Sequence, residues 1–220
     1  LMSACSALLL MVPNSARAND SLFDALGADY IREIPALSPV SATGLGDHRF
    51  DDRLDSLTPG ARDHARGVYQ GFLDRLTAIP RDVLSRDRQV DAALLENALR
   101  YRLWNLDTLR SWEWNPLDAI GSAGSAIYGL ISREFAPVET RIQAATRRLE
   151  QFPRFFKEAR ANLIMARVPG VYAETALRQN NGLVNLLENL LLPQAQEASA
   201  PTQRALARAI DRARQAIEEH

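Results

Sequence analysis

Cysteine is almost missing from this chain: Cys5 is the only one in 220 residues. Everything after it lacks disulfide and thiol chemistry, a composition that suits export without requiring it. Lysine is equally scarce. Lys157 is the only one, inside the charged run Lys157-Glu158-Ala159-Arg160, and such a run reads as a solvated helix face before it reads as a Schiff-base nucleophile. Histidine is limited to His48, His64 and His220. No two lie four residues apart, and no His-Glu-x-x-His is present, so the usual signature of a catalytic zinc is missing. Charge of one sign does not dominate either. The formal net charge is −1, from 26 basic and 27 acidic residues, which gives no electrostatic argument for nucleic acid or an anionic membrane. No segment alternates apolar and polar residues with β-branched enrichment, so strands are not expected.

Long apolar runs are also missing. The strongest, residues 7–12, is too short to span a bilayer as a helix. It is followed by Ala16-Arg17-Ala18, a small-x-small pattern like a leader-peptidase site. Residues 1–18 therefore read as a signal peptide short of its basic start. Residues 19–220 read as the mature helical part, exported to the periplasm or outside the cell, with no transmembrane segment. Met2-Ser3-Ala4-Cys5 offers an alternative, lipid anchoring at Cys5, although the apolar run follows that cysteine instead of preceding it.

What is present is helical patterning punctuated by proline. Asn19 or Asp20 is placed to cap a first helix that runs through Ile34. Pro35 and Pro39 end it, and Thr58-Pro59 starts another, with a capping hydroxyl followed by proline at the first helical position. From there Ala61, Ala65, Val68, Tyr69, Phe72, Leu73, Leu76 and Ile79 recur at three- and four-residue steps. Ser85 is placed to cap the next helix, whose apolar residues (among them Val90, Leu94, Leu99 and Tyr101) cover more than one stripe. That breadth predicts a central helix buried on two sides. Further helices start at Asn115-Pro116, near Pro137, after Pro153, at Pro169-Gly170 (to Leu192, stopped by Pro193) and at Ser199 with Pro201. The expected fold is all-α, an array of roughly seven to eight helices.

The residues with chemical potential are few. Gly44 to Leu54 is a charged loop containing Asp47, His48 and Arg49, and binding residues favour such loops. Its acidic residues Asp47, Asp51, Asp52 and Asp55 do not have calcium-loop spacing. They read more simply as salt bridges and helix caps, with Asp47 setting the tautomer of His48. Gly121-Ser122-Ala123-Gly124-Ser125-Ala126 is neither a nucleophile elbow nor a phosphate loop. Close packing of one helix on another explains it first, a substrate-facing role second. Trp104, Trp112, Trp114 and Tyr128 crowd one region, with Glu113 between two tryptophans as a candidate cleft carboxylate. The substrate-cleft candidates are therefore Asp47, His48, Arg49, Glu113 and Tyr128. No residue is assigned a catalytic or metal-binding role, and no cofactor is assigned to this chain.

The segment Gly46-Asp47-His48-Arg49-Phe50-Asp51-Asp52-Arg53-Leu54 with Leu57-Thr58-Pro59 resembles the N-terminal signature of the bacterial family called domain of unknown function 885. The likeness continues through Leu117 to Tyr128, Arg133-Glu134-Phe135-Ala136-Pro137, Ala159 to Leu163 and Tyr172 to Ala176, with Gly182 downstream. This resemblance implies a large, mainly helical protein with a zincin-like metallopeptidase-type fold. Zinc would be bound by a His-Glu-x-x-His motif in a C-terminal half, and a peptide would be the substrate. On that reading, residues 19–220 form the helical N-terminal part of a longer domain, which lines the cleft and is inactive without its C-terminal half. The helices that start at Ser85 and Pro169 would then expose apolar faces. The alternative is a non-enzymatic helical module of the cell envelope that binds a partner or scaffolds an assembly.

Overall fold

A computed structural model describes residues 14–220. Cys5 and the apolar run of the candidate leader lie outside the described residues. Helix α1 is Asn14–Glu33, α2 Pro39–Gly44, α3 Pro59–Thr77, α4 Arg86–Trp104, α5 Leu117–Ile131, α6 Val138–Glu150, α7 Phe152–Asn162, α8 Gly170–Leu186, α9 the single turn Leu192–Gln194, and α10 Ala200–Glu218. No strand occurs among the described residues. The fold is all-α, as expected, with eight long helices.

The apolar residues divide into two clusters. The larger is built from α5, α6, α7, α10 and the end of α8. On α7, Phe152, Phe155, Phe156 and Ala159 fall at i, i+3, i+4 and i+7, and all four are buried. Phe156 meets Phe152 and Phe155 edge-on at 5.5 Å, the geometry aromatic quadrupoles prefer. Leu206, Ala209, Ile210, Ala213 and Ile217 give α10 the matching face. Each large side chain buried here stabilises the fold by about 1.5–3 kcal/mol before entropy is counted. The smaller cluster joins α1, α3 and α4 through Phe23, Leu26, Tyr69, Phe72, Leu76 and Leu99.

Helix starts and stops follow local chemistry, with some departures from expectation. The Thr58 hydroxyl accepts the Ala61 amide at 3.2 Å, as its position predicts. The first helix begins at Asn14, so Asn19 and Asp20 lie within it. Asp20 instead accepts the Ser85 amide at 2.9 Å, and Ser85 makes no side-chain cap of its own. Pro193 does not stop its helix cleanly. The preceding turn widens to a π-helix, Leu187–Leu191, and the path continues through α9. Widening frees the space that the proline ring would otherwise contest with the carbonyl four residues back.

Helix α4 is not central. Only Ala92 and Leu99 are buried, while Val90, Leu94, Tyr101 and Trp104 stand exposed along one face. Its broad apolar stripe is real, but within these residues only one side of it is covered. On and around α8, Val171, Leu177, Leu190 and Leu192 are likewise exposed.

Candidate functional site

The charged loop is built as a strap. Helix α2 ends in a Schellman cap: the Asp47 amide donates to the Ala42 carbonyl at 2.9 Å, and the Gly46 amide to Thr43 at 3.1 Å. Gly46 has φ +88°, a conformation that costs a residue with a Cβ about 1 kcal/mol or more. Asp47 then caps the 3-10 turn His48–Phe50 by accepting the Arg49 amide. It also takes both arms of the Arg49 guanidinium, at 2.9 and 2.6 Å. That pairing holds the Asp47 carboxyl below its ordinary range.

His48 is ordered by Asp51, not Asp47. Its Nδ1 lies 2.9 Å from Asp51 Oδ2, and its ring stacks on Phe135 with centroids 3.7 Å apart. The other Asp51 oxygen accepts the Thr43 hydroxyl at 2.6 Å, and Thr43 in turn accepts Arg148 Nη2 at 2.6 Å. Arg148 is wholly buried and forms no direct ion pair with any described residue. Its guanidinium donates to the carbonyls of Arg53 at 2.9 Å, Ala126 at 2.7 Å and Pro39 at 3.2 Å. Burial pulls its pKa down, while the nearby Asp51 and Asp55 charges act the other way. Asp55 accepts the Val40 amide at 3.1 Å and the Ser38 hydroxyl at 2.9 Å, tying down the start of α2, and burial pushes its carboxyl up.

An irregular segment must place its backbone polar groups somewhere. Here they go to one side of α6 and α7. Gln151 accepts the Leu54 amide at 3.1 Å and donates to the Asp52 carbonyl at 2.8 Å. Arg154 donates to the Asp55 carbonyl at 3.3 Å, and Glu158 accepts the Leu57 amide at 2.7 Å. Asn162 and Arg62 both donate to the Leu57 carbonyl, at 2.8 and 2.6 Å. Sequence reasoning missed Arg148, Gln151, Arg154, Glu158 and Asn162. The signal was there: they recur at steps of three and four, a polar stripe beside the buried phenylalanines.

The five cleft candidates are not brought together. His48 and Arg49 border a cavity of about 450 Å³ beside Phe135, Arg141 and Arg147. Tyr128 is exposed on α5 and borders a different groove of about 450 Å³, with Gly121, Ser122, Ser125 and Gly129 as its floor and α2 as its wall. Glu113 is buried, paired with Arg110 and Arg167. Its carbonyl accepts the Ile164 amide at 2.7 Å, so it ties the 3-10 turn Ser111–Glu113 to the segment before α8. Arg110 holds the turn open with φ 49°. Of the small residues of α5, Ala123 and Ala126 pack in the core as expected, but two of the glycines do not. A Cβ placed on Gly121 or Gly124 would meet no atom within 4 Å, whereas on Gly129 it would meet Thr43 at 3.6 Å.

A third cavity, about 280 Å³, lies between Leu57, α3, the start of α5 and α7. It shares Ser122 with the groove. Among the described residues, no group of three or more His, Cys, Asp or Glu side chains is placed to hold a metal ion. His48 is joined by Asp51 alone, so the residues here do not fit a zinc centre.

The family described as "Bacterial protein of unknown function (DUF885)" matches residues 39–220. The fold is similar to the solved structure of a candidate lipoprotein of unknown function from Shewanella oneidensis, with a TM-score of 0.81 and 24% identity. That match covers 90% of this chain and 36% of the other, so this chain spans little more than a third of that protein's length. No curated protein matches this chain.

Proposed function

This chain belongs to the DUF885 family, and from that premise we propose that it forms the cleft-lining helical part of an exported, zinc-dependent peptidase-like hydrolase. The groove along α5 carries this reading. Its floor is glycine and serine, Gly121 has open space where a side chain would be, and Tyr128 and Arg133 stand at its edge. Such a surface lets an extended peptide backbone approach the helix closely. Zinc and its ligands belong, on this reading, to polypeptide outside these residues, and no chemical step is assigned to this chain. Export is supported by the leader-like residues 1–18 and by the lipoprotein description of the Shewanella oneidensis protein. Among the described residues, no helix is long and apolar enough to cross a membrane.

The test uses the product of the complete reading frame. It is expected to contain zinc, to hydrolyse unstructured peptides and to lose activity to a chelator. Tyr128→Ala should raise KM without changing zinc content. A folded, full-length product that binds no zinc and cleaves no peptide sinks the proposal.

A second reading, a non-enzymatic envelope module, is favoured by α4. The exposed stripe of Val90, Leu94, Tyr101 and Trp104 is the kind of apolar surface that docks a partner.

A further inference from the structure

We infer that the 280 Å³ cavity beside Arg62 and Trp112 is a binding site for a small apolar carboxylate. Its walls include Leu57, Leu106, Phe155, Ala159 and Leu163, which suit one aliphatic or aromatic group. Into this apolar lining the fold sets Arg62, which forms no ion pair with any described residue. The guanidinium lies over the Trp112 ring at 3.8 Å and donates one hydrogen bond, Nη1 to the Leu57 carbonyl. Its other N–H groups have no acceptor among the described residues. Burial pulls the Arg62 pKa down, while the charges of Asp63 and Glu113 act the other way without ion-pair contact.

One more donor is without a partner. The Trp112 indole Nε1 is buried and has no hydrogen-bond partner. The acidic groups in the lining are already engaged: Asp55 by Ser38 and Val40, Asp118 by Asn115. The cavity thus presents a planar cationic fork and one further donor on an apolar wall. A guanidinium matches a carboxylate with two parallel N–H to O bonds. One arginine gives the single positive charge that a monocarboxylate requires, and the apolar walls take its tail. The inference is independent of the peptidase reading, since it needs no zinc.

The acid has two possible sources, the free carboxyl end of a peptide or a free organic acid. The 220-residue chain is titrated by calorimetry with N-acetylphenylalanine, its amide, and 3-phenylpropionate. Saturable one-to-one binding of an acid, with the matched amide about tenfold weaker or worse, is the expected result. Binding of N-acetylphenylalanine alone assigns the site to peptide ends. Equal binding of both acids assigns it to the carboxylate and ring. Arg62→Gln should abolish acid binding. Trp112→Phe, which keeps an aromatic face under Arg62 and removes the N–H, should weaken it several-fold at little changed melting temperature, and it decides the matter if Arg62→Gln does not fold. Absence of saturable acid binding, or equal affinity for acid and amide, overturns the inference.

Discussion

The two apolar clusters are assembled differently. Around α5, α6, α7 and α10, stability comes from depth: Phe152, Phe155, Phe156, Ile142 and Leu149 have no exposed surface at all. Around α1, α3 and α4 the buried set is smaller. Surface ion pairs join helices in both regions, Arg88–Asp24 at 2.7 Å between α4 and α1 and Arg212–Glu150 at 3.3 Å between α10 and α6. Exposed pairs of this kind contribute about 0–1 kcal/mol each. The first region has a fully covered phenylalanine core, with Leu190 and Leu192 exposed only at its edge. The second leaves one side of α4 apolar and uncovered. The strap of residues 44–58 belongs to the first region, because its backbone is held by α6 and α7.

The comparison is broken most severely by truncating the deep region. Phe155→Ala is expected to cost about 3–5 kcal/mol, read as a shift of the urea midpoint at constant slope. Leu94→Ala on the exposed face of α4 should stay within about 0.5 kcal/mol of the parent. Similar losses at the two positions would mean that the α4 face is covered in solution, most simply by self-association, and sedimentation would then show an oligomer.

Arg148→Met tests the strap. It removes donors to several buried carbonyls without supplying new ones, which should destabilise by about 3 kcal/mol or more. Hydrogen exchange of the amides in residues 50–57 should accelerate. Arg49→Ala, by contrast, removes an arginine that is largely in water and should cost no more than about 1 kcal/mol. If Arg49 proves the more damaging, the strap is held from its outer edge and not from Arg148.

These contrasts mark what was legible in the sequence. The all-α class and most helix bounds follow from periodicity and proline, because both act locally. Thr58 caps as its position predicts. Ser85 does not, because its hydroxyl, like its amide, turns to Asp20, distant in sequence. The breadth of the α4 stripe is visible in composition, but which side is covered depends on how many neighbours the fold supplies. His48 is in the expected loop, yet its acid partner is one helical turn later than the adjacent aspartate. Glu113 looked like a cleft carboxylate because tryptophans flank it. Its two arginine partners are set by the fold, and Arg167 is too far along the chain for spacing to reveal. The polar stripe on α6 and α7 was readable as a pattern, but its purpose depended on a loop about a hundred residues earlier.

A smaller effect concerns acid. Glu139 on α6 accepts the Ser199 amide at 2.7 Å, its hydroxyl at 2.9 Å and the Thr202 hydroxyl at 2.6 Å, which binds the start of α10. These bonds, the Thr202 hydroxyl first, hold its pKa down to about 2 from an ordinary 4.5. A carboxyl whose folded pKa lies below its unfolded value contributes fully above the unfolded value. That contribution is lost as pH falls from 4.5 toward 2. Glu139→Gln should therefore flatten the fall in melting temperature over that window and change it little with pH above it. A parent and variant whose melting curves run parallel through the window would remove Glu139 from the acid response.

The smallest effect separates the groove from the packed core on a single helix. Gly121 is on the floor of the groove in α5, and a Cβ placed there would meet no neighbouring element within 4 Å. Nothing in the fold therefore requires glycine, and alanine restricts the unfolded chain and favours the helix. Gly121→Ala should stabilise by about 0.4–1 kcal/mol, a rise of about 1–4 °C in melting temperature for a chain of this size. Ala123, two residues on, is fully buried. Ala123→Leu should destabilise by about 1–3 kcal/mol through overpacking. Opposite signs at these two positions would show that one face of α5 is core and the other is open groove. If Gly121→Ala also destabilises, the small residues are packing contacts in solution and the groove closes on itself. The cleft reading would then lose the surface on which it rests.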